Sequence, residues 1–212
     1  MKRVFDVAFS AAGFFCLLPI LAVIALLVRA EDGGPALFRQ RRVGRDGKPF
    51  EIFKFRTMRR ASGAIITVSG DPRITRVGRW VRRWKLDELP QLWNVLRGEM
   101  SLVGPRPEIP EYVRLYPPEA REILRIRPGI TGPSQLDGFD EEEELRHAAD
   151  PEIYYREIIL PRKLRTDLLY ARCHGFGTDL RILWGTAERV LGAWRPSRSR
   201  PSFGPHLDGG SR

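Results

Sequence analysis

The sequence predicts an α+β protein, mostly helical, whose N-terminal segment is embedded in a membrane. Three observations carry that expectation. Val7 to Val28 contains no charged residue, two basic strand-like segments meet at Asp46-Gly47, and later segments place apolar residues at helical spacing between clusters of Gly and Pro.

As a helix, the uncharged run would be about 33 Å long, enough for a hydrocarbon core of about 30 Å. A single span is the plain reading. A cleaved leader fits poorly, because the apolar run is longer than such segments usually are and Asp6 stands at its entrance. Pro19 lies mid-run, where it removes a backbone hydrogen bond and crowds the preceding turn. Cations flank both ends, Lys2 and Arg3 before and Arg29, Arg39, Arg41, Arg42 and Arg45 after. Positive flanks tend to stay cytoplasmic. A re-entrant helix-break-helix that turns at Leu18-Pro19 meets both constraints, and the residues alone leave it level with the straight span.

"ALFRQRRVG" and "PFEIFKFRTM" read as a small basic β-hairpin joined through Arg45-Asp46-Gly47-Lys48. It suits either anionic lipid headgroups or, through Lys54 and Arg56, a substrate. "SGAIITVSGDPRIT" reads as a loop, and Arg76 to Arg83 as a basic helical or irregular segment. From Asp87 to Arg97 the pattern is helical, with Leu89, Leu92, Trp93 and Leu96 on one face and Pro90 in the first turn, where proline is tolerated. "GEMSLVGPRPE" and "RPGITG" predict stiff loops that frame Arg106 and Arg127. An acid-rich helix begins near Asp140, which can cap Glu143, and its charges suit a solvated face. "DLRILWGTAERVLGAW" stripes Leu180, Leu183, Trp184, Ala187, Leu191 and Trp194, which suits core packing or an amphipathic interfacial helix equally. Arg195 to Arg212 reads as a disordered tail. The expected organisation is a membrane segment over 1–30, a catalytic domain over 31–194 and a tail over 195–212.

A net charge of +10 calls for an anionic partner: nucleic acid, an anionic membrane or a phosphorylated small molecule. Cys16 and Cys173 are far apart and His147, His174 and His206 are scattered, so neither a disulfide framework nor a zinc spacing is present. Gly-rich phosphate loops, dinucleotide fingerprints and nucleophile elbows are also missing from the sequence. What stands out is "RWKLDELPQLWN", Arg83 to Asn94. It sets Asp87 and Glu88 side by side just after Arg73, Arg76, Arg79, Arg82, Arg83 and Lys85. Guanidinium groups and a helix start should depress the pKa of Asp87 and keep it ionised. Such a carboxylate serves as a salt bridge, a metal ligand or a nucleophile, and local physics by itself favours the first. Phosphoryl transfer accounts for more of the chain, because a carboxylate attacking phosphorus needs cations to make that encounter of anions tolerable. Successive helical residues diverge by about 100°, so the two carboxylates should meet different targets.

"KRVFD", the proline-interrupted apolar run, "FKFRTM", "LDELPQLWNVLRGEMSLVGPRPE", "RPGITG" and "DLRILWGT" together resemble the bacterial sugar transferase family, the small monotopic phosphoglycosyl transferases. The likeness covers Met1 to Trp194. It implies transfer of a sugar 1-phosphate from a UDP-sugar to undecaprenyl phosphate with release of UMP, initiating a surface polysaccharide or glycoconjugate. The place implied is the cytoplasmic face of the bacterial inner membrane, among anionic lipids, with a re-entrant helix broken at Pro19. Nucleic acid drops out as a partner, homo-oligomers stay open, and the chain should be the compact form without a further N-terminal membrane domain. By resemblance Asp87 is the nucleophile forming an aspartyl phosphosugar intermediate, Glu88 is its partner, and Mg²⁺ sits near the pair. Arg56 and Arg106 neutralise phosphates, with help from Arg127. Two departures stand out: Leu18 precedes Pro19 where members carry serine, and Phe139 stands where arginine is usual, although Gln135 is kept. The alternative from another class is a non-catalytic, membrane-anchored basic adaptor for acidic lipid or nucleic acid. Tags placed separately at the two ends of the apolar run should report from the same face of the membrane, and reporting from opposite faces would eliminate the re-entrant geometry.

Overall fold

The computed structural model describes residues 1–59 and 66–192, so the expected tail and Trp194 lie outside the described residues. Helix α1 (Lys2–Asp32) opens the chain and is the one described helix long and apolar enough to cross a bilayer. The expected break at Leu18-Pro19 is not seen: α1 runs through Pro19 without interruption. An internal proline deletes one amide donor and crowds one carbonyl, and the helical turns on either side carry α1 past that local loss. Gly33, with φ 72°, ends the helix in the left-handed conformation and donates its amide to the Arg29 carbonyl.

One face of α1 buries Leu21, Ile24 and Val28 against Phe55 and Val81, while Phe9, Phe15, Val23 and Leu26 are exposed. Polar bonds fasten both ends to the rest of the chain. At the start, Lys2 donates to Asp179 at 2.5 Å and Arg3 to the Val95 carbonyl at 2.8 Å. The buried Asp6 carboxylate accepts from the Ser101 hydroxyl at 2.8 Å and the Leu102 amide at 3.2 Å. At the far end, Glu31 accepts from the amides of Arg76 and Val77 at 2.7 and 3.0 Å.

Strands β1 (Leu37–Val43) and β2 (Pro49–Phe55) form the antiparallel hairpin the sequence announces, in register from Leu37 opposite Phe55 to Val43 opposite Pro49. Asp46 and Gly47 supply the positive φ values of its turn, 58° and 73°. Helix α2 (Arg76–Arg83) starts at Thr75, whose hydroxyl accepts from the Gly78 amide at 2.9 Å. The expected helix from Asp87 to Arg97 is divided. Leu86–Glu88 forms a single 3₁₀ turn and helix α3 (Gln91–Arg97) begins only after Pro90. Lys85, at φ 55°, reverses the chain just before, so the acidic pair sits on a turn and not in the first turn of an α-helix.

The two Gly/Pro-rich segments hold more regular structure than expected. β3 (Ser101–Val103) and β4 (Gly129–Thr131) pair in parallel. Each segment is short and finds its backbone partners only in the other, which local patterning does not reveal. Around them lie α4 (Pro110–Val113), a 3₁₀ segment (Pro118–Arg125), α5 (Pro133–Leu136), α6 (Glu141–His147) and α7 (Pro151–Tyr154). A π-helical segment, Tyr155–Ile159, leads into α8 (Leu160–Cys173), and α9 (Phe176–Gly192) ends the described chain. The largest apolar core gathers Ile109, Tyr112, Ile123, Leu145, Ile159 and Leu164. On α9, Ile182 packs with Val103 and Tyr170, whereas Leu180, Trp184 and Leu191 face outward. Leu183 packs against the same cluster, so core packing accounts for only part of that stripe, and α9 adjoins α1 through Phe176 and Phe5, whose ring centroids are 5.3 Å apart.

At the centre, a Cβ on Gly129 would stand 2.1 Å from the Gly104 amide nitrogen. Gly129→Ala should lower stability by about 1–3 kcal/mol through forced separation of two backbones, read as a lower Tm of the detergent-solubilised protein; an unchanged Tm would contradict this packing.

Candidate active site

The reversal at Lys85 turns both carboxylates inward, each 9% exposed. Their surroundings differ. Glu88 Oε1 accepts from Lys54 Nζ of β2 at 2.9 Å and from Arg106 Nη2, beyond β3, at 2.7 Å. Burial by itself would raise the Glu88 pKa, but Arg106 and Lys54 hold it well below the usual carboxylate range. Asp87 has no such partner: its Oδ1 is buried and accepts no hydrogen bond among the described residues. Burial and the neighbouring Glu88 charge push its pKa up, against the pull of Lys54, Arg82 and Lys85. The expected depression therefore belongs to Glu88, and the two neighbours lie in different surroundings.

Asp87 opens onto a cleft of about 1280 Å³ whose lining includes ten Lys or Arg side chains against four carboxylates. Such an excess concentrates anions. Arg56 lines the cleft, is largely buried and is paired with Asp32 at the end of α1. A Cβ on Gly34 would lie 1.7 Å from Arg56 Nη1, so a larger residue there would oblige that guanidinium to shift. Arg106 lines the cleft while bound to Glu88. Arg127 is placed elsewhere. Its Nε donates to the Gly98 carbonyl at 2.9 Å, where it supports the turn after α3, and it is not among the residues lining the cleft. Pro19 is part of α1, and Phe139 lies under the Arg162 guanidinium, 3.9 Å from the ring centroid.

Sequence reasoning missed one wall of the cleft. Glu108, at the end of "GPRPE", accepts on Oε1 from Tyr155 at 2.6 Å and Lys163 at 2.8 Å, and all three line the cleft. Arg42 approaches Glu108 Oε2 at 3.5 Å. Burial opposes a charged Lys163, yet Glu108 and Glu141 keep its pKa raised. The acid-rich α6, expected as a solvated face, sends Glu141 and Glu142 into the cleft lining, where Glu142 pairs with Arg82; Glu144 pairs with Arg162. A run of four glutamates looks solvated until distant cations are brought beside it. The π-helical segment that carries Tyr155 has no local sequence signature.

No group of three or more His, Cys, Asp or Glu gathers in metal-binding geometry among the described residues. A hard divalent cation would therefore draw most of its oxygens from substrate and water, which is how Mg²⁺ is commonly held beside phosphates. The undonated Asp87 Oδ1 fits as one ligand, whereas Glu88 Oε1 is already engaged by two cations.

The family model for bacterial sugar transferases matches residues 1–193. The chain belongs to that family. It is similar to the undecaprenyl-phosphate glucose phosphotransferase of Komagataeibacter xylinus, 39% identical over 90% of this chain and 36% of that protein. It is 40% identical to the UDP-glucose:undecaprenyl-phosphate glucose-1-phosphate transferase of Caulobacter vibrioides, over 90% of this chain and 69% of the relative. The exopolysaccharide production protein PSS of Rhizobium leguminosarum bv. phaseoli is 39% identical over 90% of this chain and 95% of its own length. The chain thus spans about a third of the Komagataeibacter family member and nearly the whole of the Rhizobium one.

The opposed shifts of the pair give opposed stability effects. Because the folded-state pKa of Asp87 is raised, its ionised form costs stability at neutral pH, and the cost fades as pH falls through that pKa. Asp87→Asn should raise the Tm by a few degrees at pH 7, with the gain shrinking toward pH 4. The depressed pKa of Glu88 means that its stabilisation is present above the ordinary glutamate range and is lost as pH falls through the folded value. Glu88→Gln should accordingly lower the Tm at pH 7. Thermal unfolding of both variants across that range checks the signs.

Proposed function

We propose that the protein transfers a sugar 1-phosphate from a UDP-sugar to undecaprenyl phosphate, releasing UMP and starting a surface polysaccharide or glycoconjugate. The observation that carries this reading is the undonated, buried Asp87 oxygen at the edge of a strongly cationic cleft, next to a Glu88 already bound by Lys54 and Arg106. A carboxylate without hydrogen-bond donors is poorly solvated and more basic, hence a better nucleophile.

In the first step an Asp87 oxygen attacks the sugar-bearing phosphorus of the diphosphate. A P–O bond forms, the P–O bond to the bridging oxygen breaks, and UMP departs with that oxygen and its electron pair. In the second step a phosphate oxygen of the acceptor attacks the same phosphorus and frees the Asp87 carboxylate, leaving a lipid-linked diphosphate sugar. Arg56, Arg82 and Arg106 line the path and offset the charge of two successive anions. Glu88 orients Lys54 and Arg106 toward that path. Mg²⁺, held by Asp87 and substrate oxygens, would neutralise the diphosphate.

A membrane location supports the acceptor assignment. The exposed apolar flank of α1 needs a lipid partner, and the contacts that fasten both α1 ends to one folded domain suit a monotopic helix on the cytoplasmic face. The adaptor reading accounts for charge and the apolar helix but gives no use to an undonated carboxylate in a cleft.

Purified protein given Mg²⁺, undecaprenyl phosphate and a UDP-sugar panel starting with UDP-glucose should release UMP. Asp87→Asn should lower turnover by roughly 10³-fold or more while staying in the membrane fraction. Release of UDP would identify simple glycosyl transfer, and retained activity in the variant would exclude Asp87 as nucleophile.

A further inference from the structure

One edge of the cleft is apolar and open. Pro35, Ala36, Leu37 and Phe38 line it, with Leu37 40% and Phe38 44% exposed. Other apolar residues of the lining, such as Phe55, Ile109 and Leu145, are buried in the core clusters, whereas Leu37 and Phe38 belong to none of those clusters. Two adjacent exposed apolar side chains at the mouth of a cationic cleft are costly in water and point to an apolar visitor.

Strand register says where that visitor's other end lies. Phe38 stands directly opposite Lys54 on β2, and directly opposed residues share a sheet face. The exposed ring is therefore on the side where Lys54 holds Glu88, beside the phosphate-handling arginines. In the other direction, Gly33 and Gly34 link the lip to the last turns of α1, where Leu26 and Leu27 are exposed and Arg29 lines the cleft. Pro35 to Phe38 thus line the same cleft as Arg29, near the end of α1, and as Lys54, Arg56 and Arg106. The molecule complementary to such a lining is a phosphate carrying a hydrocarbon chain: charge for the arginines, chain for the lip.

We propose that Leu37 and Phe38 seat the first isoprenyl units of the polyprenyl phosphate acceptor and so select it over shorter-chain phosphates. The assignment rests on the acceptor named under Proposed function. The head group sits among Lys54, Arg56 and Arg106, the near end of the chain lies over Phe38, and the following units cross the open edge of β1 to Leu37, whose side chain stands on the other face opposite Phe55, before passing along α1 into the bilayer.

Two measurements on the full chain test it. An isoprenyl phosphate carrying a benzophenone near its phosphate should label the peptide containing Leu37 and Phe38, with undecaprenyl phosphate competing and the free polyprenol not; this readout needs no turnover. Labelling confined to other peptides overturns the proposal. In the steady state, the double variant Leu37→Ala, Phe38→Ala should raise KM for undecaprenyl phosphate about tenfold and erase most of the preference over a two-isoprene phosphate. Its single-turnover UMP burst and co-sedimentation with anionic vesicles should be retained. Phe38→Leu should restore most of the preference. A higher UDP-sugar KM instead would make Phe38 a base-stacking residue, loss of vesicle binding would make the lip a membrane anchor, and an unchanged acceptor KM would leave it without a role in acceptor binding; each overturns the proposal. Absence of a UMP burst from the unsubstituted protein would refute the transferase reading itself, while the labelling result would still decide whether the lip holds isoprenyl phosphate.

Discussion

A single buried carboxylate, Glu88, joins three segments distant in sequence: β2 through Lys54, the stretch after β3 through Arg106, and its own 3₁₀ turn. Removing one partner of such an arrangement leaves an uncompensated buried charge, at a cost of about 3–5 kcal/mol. The site's chemistry depends on that constraint. Because Glu88 takes the nearest cations for itself, Asp87 next door is left desolvated and beside a fixed negative charge, which makes its oxygens basic. The ion pairs are concentrated on one residue and the unbonded oxygen on its neighbour.

The same division of labour appears along α1. Its interior is apolar on both the packed and the open flank, yet its ends carry Lys2, Arg3 and Asp6 on one side and Glu31 and Asp32 on the other, all bonded to the folded domain. The contact between Asp32 and Arg56 connects the helix end to the cleft lining, so the position of α1 and the placement of a cleft-lining arginine are linked.

What could be read from the sequence followed locality. The β1–β2 hairpin was legible because Asp46 and Gly47 favour its turn unaided, and the cations that surround Asp87 and Glu88 were legible in part from the basic residues just before them. The division of the following helix was not, because it depends on the left-handed Lys85, a residue type with no special liking for that conformation. The β3–β4 pairing escaped because strands of three residues carry no periodicity. Glu142 was misread because its partner Arg82 lies 60 positions away, and nothing local in "RPGITG" shows that Arg127 turns to the Gly98 carbonyl. Chain continuity through Pro19 escaped for the opposite reason: the local rule against proline was stronger in expectation than in the helix itself.

The bond between Lys2 and Asp179 spans 177 positions and so sets an order of events during synthesis. At roughly 5–20 residues/s, a ribosome needs about 9–35 s to deliver the second partner after the first. The partners of Asp6, the hydroxyl of Ser101 and the amide of Leu102, arrive about halfway through that interval. The polar end of α1 thus stays incomplete until α9 has been made. Of the contacts that hold the helix, the one to Asp179 is thus available last, after those to Phe55, Val81, Val95 and Ser101.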